Sequence, residues 1–320
     1  MREEFSRCLI QAAKVDPRLV LLTGDHGYAL FDEFRKECGT QYLNAGVAEQ
    51  NMVGVAAGLA KVGFFPVVYG LSSFVPIRVL EQIKMDLCYE GLPALLIGDG
   101  AGVVYSHLGA SHQSTEDIAV LRSIPNISIY SPADATEMGW CFSAAIASGQ
   151  TCYLRMGKAD LGRVHDDSLS NLLAEPVRVL GEVDDKIAFI ATGSMVRTAM
   201  RLAQVWQGVS VWSVPRLKPL GAADIDRCIV GSRRIVTFEE HSIHGGLGAI
   251  VAERVAQCGS AGCAALFSAG IDNQFSDLCG SYEYLMDRHG LSADRLKTCL
   301  GGFLESEPRL PEAVHGRSDP

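Results

Sequence analysis

The stretch LNAGVAEQNMVGVAAGLAKVG, residues 43–63, decides the fold prediction. Residues 49–61 carry apolar side chains at helical spacing and predict a helix. Short apolar runs flank this helix at 19–22 (LVLL) and 64–68 (FFPVV), and such runs are typical of buried strands. A helix that joins two buried strands predicts a parallel β-α-β unit, and one carboxylate, that of Glu49, stands at the start of the helix.

The same alternation of strands and helices continues along the chain. Further strand-like runs lie at 94–97, 127–130, 152–154, 187–192, 209–213, 234–238 and 264–267. Further helices are predicted near the N-terminus and at 75–88, 114–122, 134–148, 194–206, 246–257 and 282–289. A polar stretch at 157–176 interrupts the pattern and predicts a linker. We therefore expect an α/β protein of two doubly wound domains, 1–165 and 166–305, with a polar tail at 306–320.

Composition and charge exclude several classes of function. The 320 residues carry a net charge of −9 and no run of lysine or arginine, so a nucleic-acid partner is not expected. The N-terminus lacks the basic and apolar segments of a signal peptide, and no apolar run approaches the roughly 18 residues of a membrane span. We therefore expect a cytoplasmic protein without a membrane partner.

The ten cysteines are scattered along the chain and form no C-x-x-C pair. In an intracellular chain of this size, this distribution favours small buried thiols over a disulfide framework or a zinc site. Cys258 and Cys263 come nearest to a metal-binding pair, and we favour the thiol interpretation there too. No metal ligand is predicted in this chain.

Glu49 lies where ligands bind in open α/β sheets, because loops at the carboxyl ends of strands enter helix N-termini there. Asn44, Gly46 and Gln50 surround it. The helix that follows carries small residues that are expected to allow close packing on its neighbours: Gly54, Ala56, Ala57, Gly58 and Ala60. A purely structural role for Glu49 stays open, since a glutamate complements a helix dipole by about 0.3 to 1 kcal/mol. A dinucleotide site is disfavoured, because HGGLG at 244–248 lacks the G-x-G-x-x-G spacing.

Five longer phrases carry a resemblance to a known family. They are GDHGYALFDEFRKECGTQYLNAGVAEQNMVGVAAGLAKVGFFPVV, SSFVPIRVLEQIKMD, GASHQSTEDIAVLRSIPN, TFEEHSIHGGLGAIVAE and NQFSDLCGSYEYLMDRHGL. Together they resemble the C-terminal half of the transketolase family of thiamine-diphosphate enzymes. The resemblance runs from residue 23 to about 291, which is nearly the whole chain.

The resemblance implies a pyrimidine-binding domain followed by a transketolase C-terminal domain. It implies that Glu49 is the family's essential glutamate, which hydrogen-bonds N1′ of the cofactor's aminopyrimidine ring from an apolar cleft where burial helps the acid to hold a proton. Phe74 matches the aromatic residue that stacks on this ring, and Gln50 and Arg78 are assigned to the same thiamine-diphosphate site. Transketolases carry more aromatic residues than this chain in the segment around Phe74.

Three histidines are assigned to substrate binding by the same resemblance. His112, in GASHQ, matches the histidine of the family's G-P-T-H-Q signature that faces the sugar carbonyl, although Ala110 and Ser111 replace proline and threonine. His107 and His26 are placed on the same rim of the site. His26 stands where relatives show an apolar residue, which suggests a changed substrate.

Two basic residues are assigned to a phosphate group of the substrate. Lys158, in YLRMGK, aligns with a phosphate-binding arginine of the family, and Arg155 lies three positions before it. A lysine binds phosphate as a point charge and not as a two-pronged fork. We expect a sugar phosphate as substrate on this basis.

The chain contains part of the family's metal-binding motif but not the whole of it. The family holds the cofactor's diphosphate and its metal ion through G-D-G and a later pair of asparagines, and this chain carries Gly98-Asp99-Gly100 and a single Asn126. We reject this pair, and a two-domain chain is one domain short of a full transketolase. The resemblance therefore implies that a separate N-terminal subunit holds the diphosphate and Mg²⁺, and that this chain self-associates as a dimer within a heterotetramer.

The reaction implied is transfer of a two-carbon ketol unit from a ketose to an aldose, with Glu49 and His112 as catalytic residues. One alternative is another thiamine-diphosphate carboligase, either similar to deoxyxylulose-phosphate synthase or transferring two carbons from a ketoacid to a modified sugar. A regulatory relative that has lost catalysis is a further alternative, and the retained Glu49 argues against it.

Overall fold

The computed structural model describes residues 1–158, 161–165, 170–171, 173–182, 185–258 and 264–305. The predicted polar tail at 306–320, Cys263 and parts of the predicted linker lie outside these residues. Within the described ranges, no helix is long and apolar enough to span a lipid bilayer.

The described strands are β1 (Leu19–Thr23), β2 (Tyr42–Asn44), β3 (Phe65–Leu71), β4 (Ala94–Asp99), β5 (Ile127–Tyr130), β6 (Thr151–Met156), β7 (Val177–Leu180), β8 (Ile187–Ala191), β9 (Val209–Ser213), β10 (Arg216–Lys218), β11 (Arg234–Ser242) and β12 (Ala265–Ile271). They form a seven-stranded sheet in the order β10-β5-β6-β4-β3-β1-β2 and a five-stranded sheet in the order β12-β11-β8-β9-β7. The predicted α/β fold with two sheets is confirmed.

The described α-helices are α1 (Arg2–Val15), α2 (Asp32–Glu37), α3 (Glu49–Lys61), α4 (Leu80–Gln82), α5 (Asp117–Arg122), α6 (Ala135–Ser148), α7 (Met195–Ala203), α8 (Ala222–Ile229), α9 (Leu247–Gln257), α10 (Tyr282–Arg288) and α11 (Ala293–Glu305). The predicted helix at 49–61 matches α3 at both ends. The predicted helix at 75–88 is irregular, because a 3₁₀ turn (Ile77–Val79) and a π-helical segment (Ile83–Tyr89) enclose the short α4.

Pairing among the described strands is parallel except at two sheet edges. β10 runs antiparallel to β5, and β7 runs antiparallel to β9. β10 follows the predicted linker in sequence but pairs within the first sheet. The second half of the chain therefore supplies a strand to the sheet that positions Glu49.

Helix α3 packs one face against the first sheet. Met52, Val53, Ala56, Ala57 and Ala60 are buried on that face. The expectation that the helix glycines also serve close packing is wrong within the described residues, because a side-chain carbon at Gly54 or Gly58 would meet no atom within 4 Å. The buried face of α3 is therefore formed by Met52, Val53 and the three alanines.

Candidate active site

Loops at the carboxyl ends of β1 and β2 surround the start of α3. Oδ1 of Asn44 accepts hydrogen bonds from the backbone N–H groups of Asp25 (3.2 Å) and Gly46 (2.9 Å), which ties the two loops together. Asp25 has a φ of 62°, a strained value for a residue with a side chain, and its carboxylate accepts a hydrogen bond from the Tyr28 hydroxyl. Glu49, the first residue of α3, is only 3% exposed at this point.

Glu49, Arg78 and Phe74 form a compact group. Arg78 Nη1 donates to Oε2 of Glu49 at 2.9 Å, and the guanidinium carbon of Arg78 lies 3.9 Å from the centre of the Phe74 ring. Oε1 of Glu49 is buried and has no hydrogen-bond partner among the described residues. A buried carboxylate oxygen without a partner is costly, so it marks a place where a ligand is expected to donate or share a proton.

Two imidazoles border the Phe74 ring. The ring of His112 lies 5.4 Å from it, centre to centre, in an edge-on arrangement, and the ring of His26 lies 6.5 Å from it. Nδ1 of His112 lies 3.0 Å from the hydroxyl oxygen of Ser111. Nε2 of His26 is buried without a partner among the described residues. The structure thus brings His112 and His26, which come from separate parts of the sequence, next to Phe74.

Gln50 and His107 are not joined to this group by any contact of the described residues. Gln50 is exposed on the first turn of α3, and His107 is exposed on the short 3₁₀ turn Ser106–Leu108. Both side chains therefore face outward, where a ligand or another protein chain could reach them. Their predicted roles stay proposals.

The structure corrects the expectation that Arg155 binds a substrate phosphate. Arg155 is 2% exposed, and its Nε lies 2.8 Å from a carboxylate oxygen of the buried Asp117. Its Nη2 donates to the backbone carbonyls of Glu240 (2.7 Å) and Ser114. A guanidinium engaged in this way links the two halves of the chain and is not available to a substrate.

Lys158 lies near the same link. Its Nζ is 5.4 Å from the centre of the Tyr282 ring, and the Tyr282 hydroxyl donates to Glu240. The Glu240 carboxylate also accepts hydrogen bonds from the Ser194 hydroxyl and the backbone N–H of Val103. Burial raises the pKa of Glu240 above its usual range, and these donors oppose that rise.

Asp99 and Asn126 lie too far apart to share a metal ion. The Asp99 carboxylate accepts hydrogen bonds from Arg2 and from the hydroxyls of Tyr69 and Tyr105. Asp99 is the last residue of β4, and Asn126 comes just before β5. Both strands pair with β6, where Asp99 lies opposite Met156 and Ile127 lies opposite Thr151. Asp99 and Asn126 are therefore six residues apart along the strand direction. At about 3.3 Å per residue this is roughly 20 Å along the strands.

Sequence reasoning missed several residues that take part in the polar links between the two halves of the chain. They are Asp117, Ser194, Glu240, Ser276, Tyr282 and His289. The phrase TFEEHS, in which two glutamates and a histidine interrupt the buried strand β11, was the available signal, because charged residues inside a buried strand need partners. Their partners lie far away in sequence and could not be identified from the phrase itself.

The group around Glu49 fits the aminopyrimidine ring of thiamine diphosphate. The ring offers a nitrogen to the unpartnered Oε1 of Glu49 and a flat face to the half-buried ring of Phe74. An α/β domain with a buried glutamate at a helix start, followed by a second α/β unit, is the arrangement that the family resemblance implies.

Comparisons with known proteins agree. Residues 1–163 match the transketolase pyrimidine-binding domain, and residues 176–273 match the transketolase C-terminal domain. An apulose-4-phosphate transketolase subunit of Phocaeicola vulgatus is 34% identical over 262 residues, which cover 80% of this chain and 83% of that protein. A 6-deoxy-6-sulfo-D-fructose transketolase subunit of Clostridium sp. strain MSTE9 is 29% identical over 302 residues, which cover 92% of each chain.

A solved structure, a split gene transketolase in an inactive β4 tetramer, superposes with a TM-score of 0.82. It is 27% identical to this chain and covers 94% of it, and this chain covers 96% of that one. Fold and site therefore define a thiamine-diphosphate-type transferase subunit. The chain belongs to the transketolase family and corresponds to the part of those enzymes that carries the pyrimidine-binding and C-terminal domains.

Proposed function

We propose that this chain is the C-terminal subunit of a split transketolase that moves a two-carbon ketol unit from a ketose, as its phosphate, to an aldose. The observation that carries the proposal is the buried carboxylate of Glu49, whose Oε1 lacks a partner among the described residues and whose Oε2 is bound by Arg78, the guanidinium that also lies on the Phe74 ring. Thiamine diphosphate, when bound, supplies the nucleophilic carbon that accepts the two-carbon unit. Glu49 is assigned to hold and share a proton with the ring nitrogen of the pyrimidine.

The other residues assigned to the cofactor surround Glu49 and place the pyrimidine ring. Phe74 offers its ring for stacking, and Arg78 binds Oε2 of Glu49, which leaves Oε1 for the pyrimidine nitrogen. Gln50, exposed one residue after Glu49, is assigned to the edge of the same site.

Substrate recognition is assigned to the imidazole rim and to Lys158. His112 and His26 border the Phe74 ring and can hydrogen-bond the carbonyl and hydroxyl groups of a sugar. His107 extends this rim from an exposed turn. Lys158 supplies the positive charge for a phosphate group.

We assign the diphosphate and Mg²⁺ to a separate N-terminal subunit. The placement of Asp99 and Asn126 roughly 20 Å apart along the strands supports this assignment, as do relatives that are named as subunits of transketolases. The assembly proposed is a heterotetramer in which this chain forms a dimer. The nine described cysteines are free thiols, which suits the reducing cytosol, where we place the protein.

The function is tested by a donor screen on the chain mixed with its N-terminal subunit. Ketose phosphates are compared with pyruvate, each with an aldose acceptor, and the product is identified by mass. We expect turnover with ketose phosphates that falls at least about 100-fold in Glu49→Gln. Glu33→Gln, at an exposed glutamate of α2, is the matched control and should keep full activity. Turnover with pyruvate but not with ketose phosphates would favour the carboligase alternative over ketol transfer.

A further inference from the structure

The second half of the chain covers the loop that carries His112. The loop closes where Gly102 and Ser114 pair as an isolated β-bridge. At its far end Gly109 has a φ of 78°, and a side-chain carbon there would lie 3.2 Å from Sγ of Cys279. The segment that precedes α10 therefore lies directly against the His112 loop.

A chain of hydrogen bonds joins the two segments. The Ser276 hydroxyl donates to Oε1 of Gln113 at 2.7 Å, and Nε2 of His289 lies 2.8 Å from the same hydroxyl oxygen. In this arrangement the hydroxyl gives its one hydrogen to Gln113, and Nε2 of His289 is the donor that completes the chain. We refer to Gln113, Ser276 and His289 as the clasp.

Polar atoms of the clasp are buried. Gln113 is 7% exposed, and Nδ1 of His289 is buried without a partner among the described residues. Burial also lowers the pKa of His289, which favours the neutral imidazole, and its Nε2–H tautomer donates to Ser276. Loss of one member would leave buried polar atoms unpaired, which is costly.

The clasp acts on His112 through a tight turn. His112 and Gln113 close the 3₁₀ turn Ala110–His112, with backbone hydrogen bonds from His112 to Gly109 and from Gln113 to Ala110. Because Gln113 is the next residue after His112, its anchored side chain fixes the end of this turn.

We propose that the clasp is a positioning device through which the second α/β unit sets the place of His112 beside the Phe74 ring. The proposal rests on the proposed function of His112 in substrate binding. Ser276 and His289 are positioning residues here, since they act through Gln113 and touch neither Phe74 nor His112 among the described contacts.

The test exploits the two nitrogens of His289. Glutamine places its amide nitrogen near the position of Nε2, whereas asparagine places it near that of Nδ1, so His289→Gln keeps the donor to Ser276 and His289→Asn loses it. With the mixed subunits, we expect His289→Asn and Ser276→Ala to lower kcat about tenfold with an unchanged calorimetric Kd for thiamine diphosphate. His289→Gln should stay within about twofold of the original chain.

A double-mutant cycle shows whether the clasp affects kcat through His112 or through the stability of the fold in general. In the His112→Ala background, His289→Asn should cause no further loss of the residual kcat. An equal tenfold loss in that background, or an equal loss in His289→Gln, would overturn the proposal.

A second readout does not depend on activity. Amide hydrogen exchange at residues 109–115 should quicken in His289→Asn but not in His289→Gln. Unchanged exchange in His289→Asn would refute the clasp even in an active enzyme. Absence of turnover by the original chain and its partner would refute the proposed function instead, and the exchange result would still decide the clasp.

Discussion

Arg78 donates a hydrogen bond to Glu49 at 2.9 Å across the site, from the segment that follows β3 to the first residue of α3. The same guanidinium lies on the face of the Phe74 ring. Arg78 thus contacts both groups that are assigned to the pyrimidine ring, while Oε1 of Glu49 stays without a partner among the described residues.

Replacement of Arg78 should weaken cofactor binding. In Arg78→Gln the Glu49 carboxylate loses a charged donor, and we expect the Kd for thiamine diphosphate in the mixed subunits to rise about 3- to 10-fold, a modest effect because the arginine side chain is 44% exposed. Calorimetry measures it, with Arg295→Gln, at an exposed surface ion pair, as control. Tighter binding in Arg78→Gln would mean that the guanidinium competes with the ring for Glu49 and Phe74.

Replacement of Arg155 should affect stability and not substrate binding. Arg155→Met leaves the buried Asp117 carboxylate without its ion-pair partner, which costs about 3–5 kcal/mol of unfolding free energy. Urea unfolding measures the loss, and Arg295→Met should change stability by less than about 1 kcal/mol. A stable Arg155→Met protein with a raised KM for a sugar phosphate would restore the substrate-binding role.

Lys158 should discriminate phosphorylated from unphosphorylated donors. Lys158→Met removes a positive charge, so we expect about a tenfold rise in KM for a ketose phosphate and little change for the corresponding free ketose. Initial rates with both donors measure the difference, and Lys84→Met, at an exposed lysine, provides the control. Equal effects on both donors would remove Lys158 from phosphate recognition.

Two buried groups in β11 give opposite pH dependences of stability. Burial raises the pKa of Glu239 from 4.5 to about 7, although its carboxylate accepts hydrogen bonds from the N–H groups of Leu247 and Gly248 at the start of α9. Its contribution to stability is present below about pH 4.5 and is lost as the pH rises to about 7. Burial lowers the pKa of His241 from 6.5 to about 4, so its contribution is present above pH 6.5 and is lost as the pH falls to about 4.

Removal of His241 should expose the Glu239 contribution. In His241→Asn we expect the unfolding free energy to fall by about 3 kcal/mol between about pH 4.5 and 7 relative to the original chain, in which the two groups oppose each other. Urea unfolding midpoints across this range measure the effect, and Glu239→Gln should show the opposite slope. Parallel pH profiles for all three proteins would contradict the assignment of neutral, buried groups.

The main strands were predictable because their apolar runs are long enough to be buried on both faces. The runs at 19–22, 127–130 and 209–213 match β1, β5 and β9 closely. The three missed strands, β2, β7 and β10, lie at sheet edges, and each contains a polar or charged residue in place of a continuous apolar run. Their pairing depends on neighbours that lie far away in sequence.

The position of a site residue was predictable where it follows from the local sequence and not where it depends on distant partners. Glu49 was identifiable as a carboxylate at the start of an apolar helix. Arg155 was misassigned because proximity to Lys158 in sequence outweighed its place inside the apolar run of β6. Its partners Asp117 and Glu240 lie 38 and 85 residues away, so only the folded chain reveals the ion pair.

Calorimetry of thiamine diphosphate with Mg²⁺, on this chain alone and on its mixture with the N-terminal subunit, shows which chain holds the diphosphate. We expect no metal-dependent binding by this chain alone, tight binding by the mixture, and loss of both binding strength and turnover in Glu49→Ala. Metal-dependent binding of the intact cofactor by this chain alone would contradict this expectation, because the diphosphate would then have its site here and not on a partner.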